Sequence, residues 1–211
     1  MKPAVKGLIR GYNKRKAEIK SRLKRFREIG SAGDEEIFSE LCFCLLTPQA
    51  KATSCDNAIK RLKEKGLLLK GPADAVRPIL KGAVRFHNKK AGYLVGARRT
   101  FLKCGLEEEI RAKTAFGARQ WLVENVKGLG YKEASHFLRN IGLGRDLAIL
   151  DVHILKNLKR LGVIRNIPSS LTKNGYLAIE EKMRKFSRKA KIPLDELDLL
   201  LWSLETGFVF K

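Results

Sequence analysis

Two residues in this chain of 211 have both the type and the setting for covalent chemistry. Lys132 lies in Asn125-Val-Lys-Gly-Leu-Gly-Tyr-Lys-Glu-Ala-Ser-His-Phe-Leu, two positions beyond the Gly128-Leu129-Gly130 turn. Asp151 follows nineteen positions later in Ala148-Ile-Leu-Asp-Val-His-Ile-Leu, breaking an apolar run where a new helix should begin. A lysine amine, once neutral, is a nucleophile that forms Schiff bases with carbonyl carbon. A nearby carboxylate can stabilise a developing positive charge or accept a proton. Each residue taken alone also has an ordinary explanation. Lys132 is one of 44 Lys and Arg residues, and an Asp opening a helix is a good N-cap, worth about 0.5–2 kcal/mol.

The two glycines before Lys132 let the chain reverse sharply and bring backbone amides close to another surface. Those amides open the next helix, where unpaired N–H groups and the helix dipole attract an anion. A nucleic-acid phosphate suits such a site, contacted without regard to base sequence, with Gly128, Gly130 and Lys127 as its donors. A plain helix–turn–helix connection has the same appearance. Charge favours a polyanionic partner: 44 Lys and Arg against 22 Asp and Glu leave a formal net charge of +22. A basic ribosomal or membrane-surface protein would share that balance.

Other chemistries find less support. Cys42 and Cys44 sit in the apolar run FSELCFCLL with Cys55 nearby, a setting for buried free thiols rather than metal ligands. There is no CxxC pair. No apolar stretch nears the ~20 residues needed to span a bilayer, and MKPAVKGLIRGYNKRK lacks the apolar core of a secretory signal. A cytoplasmic, nucleoid-associated protein, monomeric and without a membrane partner, is expected. No cofactor is expected.

The elements that must position Lys132 and Asp151 are helices. With 44% hydrophobic residues the chain can form a core, as one large domain or as two modest helical subdomains around a cleft. Helical periodicity dominates, with no convincing strand alternation. Val5, Leu8, Ile9, Tyr12, Ile19, Leu23 and Phe26 trace one stripe along a very basic first helix that breaks at Gly30 to Gly33. Asp34 is expected to cap the next helix, which turns Ile37, Phe38, Leu41 and Leu45 inward. Thr47-Pro48-Gln49 interrupts the pattern, and a helix resumes through Ala58, Ile59 and Leu62 to Gly66. Further helices are expected from Pro72, from about Phe86, up to Val126, and from Asp151, Thr172 and Pro193, the last stopping at Gly207. Many short helices without strands suggest an irregular all-α globule, not a four-helix bundle.

Lys127-Gly-Leu-Gly-Tyr-Lys-Glu-Ala resembles the helix-hairpin-helix motif, with Lys127 where that motif usually has proline. Together with the apolar-Asp-x-His pattern at Asp151, it resembles the catalytic signature of the endonuclease III superfamily of base-excision glycosylases, over roughly Glu35 to Leu161. The resemblance implies two helical subdomains around a DNA-binding cleft. One comprises 1–34 plus 146–211; the other, 35–145, has six helices and ends in the helix-hairpin-helix at about 115–141. It further implies that Lys132 attacks C1′ of a flipped-out nucleotide while the ionised Asp151 stabilises the oxocarbenium charge. A Schiff base then forms, and β-elimination nicks the strand. An ordinary lysine, with pKa near ~10.4, is seldom neutral, so partial burial and neighbouring cations are expected around Lys132. A monovalent cation held by hairpin carbonyls is also compatible with the resemblance.

The iron–sulfur branch of the superfamily carries four cysteines near its C-terminus, and this chain has none after Cys104. The short ending Phe208-Val-Phe-Lys211, with Leu45-Leu-Thr-Pro-Gln-Ala-Lys-Ala-Thr and Val84-Arg-Phe-His-Asn-Lys-Lys-Ala, resembles the compact second family of 8-oxoguanine DNA glycosylase/AP lyases. That resemblance implies double-stranded DNA carrying a damaged base as partner. Trp202 and Phe86 would stack the extruded purine, and Lys211 with its free carboxylate would read it. Gln49 would fill the gap left by the flipped nucleotide. Alternatives stay open: Trp202 as core filling, Lys211 as a frayed end, Gln49 as a loop residue. His136 and His153 are assigned no chemistry, with packing favoured for His136 and a structural or phosphate-contacting role for His153. Two rival functions remain. One is a glycosylase/lyase for oxidised pyrimidines; the other is a non-catalytic helix-hairpin-helix DNA-binding module.

Overall fold

The computed structural model describes residues 3–104 and 106–211, and twelve helices carry the described chain. The first, α1 (Pro3–Gly30), buries Leu8, Tyr12, Ile19, Leu23 and Phe26 along one stripe, while Val5 and Ile9 are half-buried. The next, α2 (Asp34–Leu46), is buried at every position from Ile37 onward. A helix apolar on all sides belongs in the centre of a fold, and α2 packs against α1, α3, α6 and α9. Around it lie α3 (Ala52–Glu64), α4 (Leu67–Lys70), α5 (Ala73–Leu80), α6 (His87–Cys104), α7 (Leu106–Arg111), α8 (Ala115–Asn125) and α9 (Tyr131–Asn140). An extended stretch leads to α10 (Val152–Arg160), α11 (Lys173–Ala190) and α12 (Leu194–Thr206).

Local signals set most boundaries. Asp151, Thr172 and Pro193 are the N-caps of α10, α11 and α12, each helix beginning one residue later. The expected cap at Asp34 is corrected: Gly33 (φ 96°) is the cap of α2, and Asp34 is the first helical residue, beside Glu35 and Glu36 at the positive end of the helix dipole. The helices α4 and α7, four and six residues long, were not anticipated from periodicity.

Buried side chains form two clusters. One runs from Ile37 to Leu147; the other joins Leu8–Phe26 of α1 to residues from Ala148 to Val209. Two buried ion pairs tie them together. Arg119 of α8 donates from both Nη atoms to Glu180 of α11, at 2.6 and 2.9 Å. Arg139 of α9 donates to Asp198 of α12 at 2.6 Å. Glu180 also accepts the Ala148 N–H at 2.8 Å, anchoring the extended stretch just ahead of Asp151. Among the described residues, no helix is long and apolar enough to cross a membrane.

Candidate active site

The turn between α8 and α9 needs glycine at its first position. Gly128 has φ 100°, and a Cβ there would lie 2.6 Å from the Tyr93 ring. Leu129 is buried, and its N–H closes the turn on the Val126 carbonyl at 3.2 Å. Gly130 is extended, and its N–H donates to Glu133 Oε2 at 3.2 Å. The other oxygen of that carboxylate lies 3.1 Å from Lys132 Nζ. Glu133 thus links the hairpin backbone to the lysine that opens α9.

Lys132 and Asp151 line the same cavity, of about 930 Å³. The Lys132 side chain is 27% exposed there, neither solvated nor sealed. Asp151 Oδ1 accepts the Ile154 N–H at 2.8 Å, so the residue caps α10 and presents a carboxylate to the cavity together. The pair Arg139 and Asp198 also borders it. Burial pushes the Asp198 carboxyl up to about 7, against the pull of Arg139 and with the added repulsion of Asp151. His136 lines the cavity too and packs edge-on to Phe43 at 5.6 Å. Burial, then the charges of Arg139, Lys132 and Lys211, hold it well below the usual histidine range, so it is neutral.

Part of the lining is aromatic. Trp202 lies edge-on to Phe208 at 5.6 Å and to His153 at 6.5 Å, and all three line the cavity. Lys211 lines it as well, and this chain end is docked rather than frayed. Its ammonium lies 3.1 Å from Glu40, 2.8 Å from Asp56 and 4.2 Å from the centre of the Phe43 ring. Burial alone would lower its pKa, yet Glu40 and Asp56 outweigh that and raise it.

Gln49 also lines the cavity, in left-handed backbone at φ 53°. The structure therefore brings together Lys132, Asp151, Trp202, Lys211 and Gln49. Phe86 does not join them: it is 52% exposed, with φ 57° and the Arg85 guanidinium 5.5 Å from its ring, outside the cavity lining. Gly128, Gly130 and the exposed Lys127 lie at the hairpin, also outside the lining. Arg139, Asp198 and Phe208 were not anticipated. His153, expected in a structural or phosphate-contacting role, packs on Trp202 at the cavity wall. Among the described residues, no group of three or more His, Cys, Asp or Glu could hold a metal ion.

An all-helical fold that sets a lysine just past a glycine hairpin, on one cavity with a helix-capping aspartate, defines a helix-hairpin-helix protein of the base-excision class. More specifically, the chain belongs to the Ogg-HhH family, described as 8-oxoguanine DNA glycosylase, whose family model matches residues 19–192. It is 47% identical to the 8-oxoguanine DNA glycosylase/AP lyase of Fusobacterium nucleatum, over 95% of this chain and 94% of the relative. The crystal structure of 8-oxoguanine DNA glycosylase from Methanocaldococcus jannaschii superposes with a TM-score of 0.89 at 37% identity, covering 98% of this chain and 95% of that one. The Methanocaldococcus jannaschii glycosylase/lyase in complex with a 15-mer DNA containing 8-oxoguanine gives 0.88 at 36% identity, covering 97% and 99%.

Proposed function

We infer that the chain is a bifunctional DNA glycosylase/AP lyase that removes 8-oxoguanine from double-stranded DNA. One observation carries this beyond family membership: Lys132 and Asp151 line one cavity together with the aromatic wall at Trp202. In this reading the damaged nucleotide swings out of the duplex and its base enters the cavity, where stacking replaces what it lost. Lys132, after giving up a proton, attacks C1′ with its amine lone pair, the bond from C1′ to the base breaks, and the base departs with the electron pair. Asp151, negative beside the sugar, stabilises the positive charge that develops there. The ring opens to a Schiff base between Nζ and C1′. Loss of a C2′ proton then expels the 3′ phosphate, and water releases the lysine.

The remaining residues are assigned supporting roles. Trp202 stacks the purine, and Lys211 reads the base. Gln49 enters the vacated gap, while the stacking role expected of Phe86 would require it to move toward the cavity from its exposed position outside the lining. Gly128, Gly130 and Lys127 hold a backbone phosphate at the hairpin, where the phosphate must compete with Glu133 for the Gly130 N–H. The cleft lies between the unit 1–34 plus 146–211 and the unit 35–145. The protein acts as a cytoplasmic, nucleoid-associated monomer, and its side chains supply the chemistry without a cofactor; a monovalent cation at the hairpin carbonyls would be structural.

Borohydride trapping tests the assignment. Duplexes with single defined lesions are mixed with protein, the reductant is added, and covalent complexes are resolved on a gel. A complex with 8-oxoguanine DNA that disappears in Lys132→Gln is expected. Trapping on oxidised pyrimidines alone would overturn the substrate, and trapping on no lesion would leave a DNA-binding module.

A further inference from the structure

Lys90 plays no part in the chemistry above, yet its side chain ties α6 to the left-handed turn that carries Gln49 on the cavity. It is only 3% exposed. Its ammonium donates to the carbonyls of Leu46 and Pro48, at 2.7 Å each. Leu46 ends α2, where carbonyls lack helical partners and the dipole is negative. Pro48 immediately precedes Gln49. The turn has two further internal ties: Thr47 Oγ1 donates to the Cys44 carbonyl at 2.8 Å, and the Ala50 N–H donates to the Thr47 carbonyl at 3.1 Å.

Lys90 also reaches a second turn through its own backbone, its N–H donating to the Phe86 carbonyl at 3.0 Å. Gln49 at φ 53° and Phe86 at φ 57° are, with Lys191, the three non-glycine residues in left-handed backbone among those described. Such conformations are disfavoured for residues with a Cβ and persist where the surroundings over-determine them. Here the surroundings include a buried cation, which is costly to place and is satisfied at this site by two backbone carbonyls. Burial holds Lys90 below the usual lysine range, and the charge of Lys132 acts in the same direction.

We propose that Lys90 is a positioning residue, holding the Thr47–Ala50 turn in the shape that lets Gln49 enter the gap in the duplex. The proposal rests on the gap-filling role assigned to Gln49. Without the ammonium, the Leu46 and Pro48 carbonyls lose their shared donor and Gln49 relaxes out of left-handed backbone. Gap filling then weakens although Lys132 and Asp151 are untouched.

The test uses the full chain and a duplex with 8-oxoguanine opposite a fluorescent cytosine analogue, whose emission reports how the orphaned base is held. Borohydride trapping rates on abasic duplex and on abasic single strand, which has no orphaned base, are compared in parallel. Lys90→Met should abolish most of the emission change and lower the duplex-to-single-strand ratio of trapping rates about ten-fold, matching Gln49→Ala. A general loss of fold would lower both rates and leave that ratio unchanged, which would overturn the positioning role. If Gln49→Ala loses the signal and Lys90→Met keeps it, Gln49 fills the gap without help from Lys90 and the proposal fails. If Gln49→Ala itself keeps the signal, the gap-filling role is wrong and the proposal falls with it. Should Lys90→Met not melt as a folded protein, Lys90→Gln, which retains a neutral donor, makes the same comparison. An emission change between those of wild type and Gln49→Ala is then expected, and a wild-type change overturns the proposal.

Discussion

Asp151 caps α10 and, in the proposed mechanism, also stabilises charge in the cavity; Asp151→Asn separates the two roles. Its Oδ1 accepts the Ile154 N–H at 2.8 Å as the N-cap of α10, and its charge faces the cavity shared with Lys132. An Asn side-chain oxygen can accept the same bond, and Asn and Asp are nearly equal as N-caps. The substitution therefore costs stability mainly through the lost interaction of charge with helix dipole, about 0.3–1 kcal/mol. At about 2–4 °C per kcal/mol for a chain of this size, Tm should fall by only about 1–4 °C. Asp151→Ala removes the cap as well, a further ~0.5–2 kcal/mol, for a total fall of roughly 2–12 °C. Activity should follow a different order. Removing a preorganised charge from a developing transition-state charge costs about 10²–10³ in rate, so both variants should excise 8-oxoguanine at least ~100-fold more slowly than wild type. Single-turnover excision and calorimetric melts on the same preparations provide the comparison. Asp151→Asn excising within about three-fold of wild type would refute the electrostatic role and leave a cap alone. A fall in Tm beyond ~10 °C would refute the claim that Asn replaces the cap.

Glu180→Ala should be the more severe stability variant, because it strands the buried Arg119 and frees the Ala148 N–H. Breaking a buried pair costs about 3–5 kcal/mol, or roughly 6–20 °C in Tm; a shift below ~3 °C would show the pair to be dispensable. His136 gives a pH prediction. Its folded pKa lies well below 6.5 because it is buried among cations. Below pH 6.5 the unfolded chain therefore takes up a proton that the folded chain refuses, and stability falls as pH falls. The loss is about 1.4 kcal/mol per pH unit until the folded pKa is reached. Asp198, raised to about 7 by burial, acts in the opposite direction, its stabilisation present below 3.8 and lost as pH rises through about 7. The contrast between wild type and His136→Gln isolates the histidine: urea melts at pH 6.5 and 5.5 should show the smaller loss in the variant, and equal losses would show that His136 titrates normally.

Most helix boundaries were legible because caps and breakers act within a turn of where they stand. Thr172, Pro193 and Asp151 mark helix starts whatever the tertiary fold does. Asp34 misled because glycine at φ 96° can end the preceding turn without a side-chain cap, leaving the carboxylate to act through the dipole. The pair proposed as catalytic, Lys132 and Asp151, was legible for the same local reason: a glycine hairpin before one residue and a capped helix start at the other. What joins them to the rest of the cavity was not. Arg139 and Asp198 are 59 positions apart and each reads as one more solvated charge, yet they pair at 2.6 Å below the surface. Lys90 follows Lys89 in a basic segment and shows its burial only in three dimensions. Phe86 and Gln49 carry no side-chain signal for left-handed backbone, and Lys90 gives no sign in sequence that its ammonium bonds the carbonyls of Leu46 and Pro48 beside Gln49.

The chain end shows how a very basic protein affords buried charge around a cavity. Lys211 Nζ lies against Glu40 Oε2 at 3.1 Å, and Glu40 Oε1 accepts from Asn140 Nδ2 at 2.6 Å. Asn140 Oδ1 accepts from Arg139 Nε at 3.0 Å, and Arg139 Nη1 donates to Asp198 Oδ2 at 2.6 Å. Glu40, Asn140, Arg139 and Asp198 are all buried. An isolated charge at any of these positions would neutralise or destabilise the fold. Alternating donors and acceptors instead leave each charge beside a partner, and polar networks of this kind resist partial substitution because a half-satisfied network is worse than none. The last residue is therefore part of the polar interior of α2, α9 and α12. Lys211 thus holds a fixed place in the lining of the cavity that Lys132 and Asp151 also line.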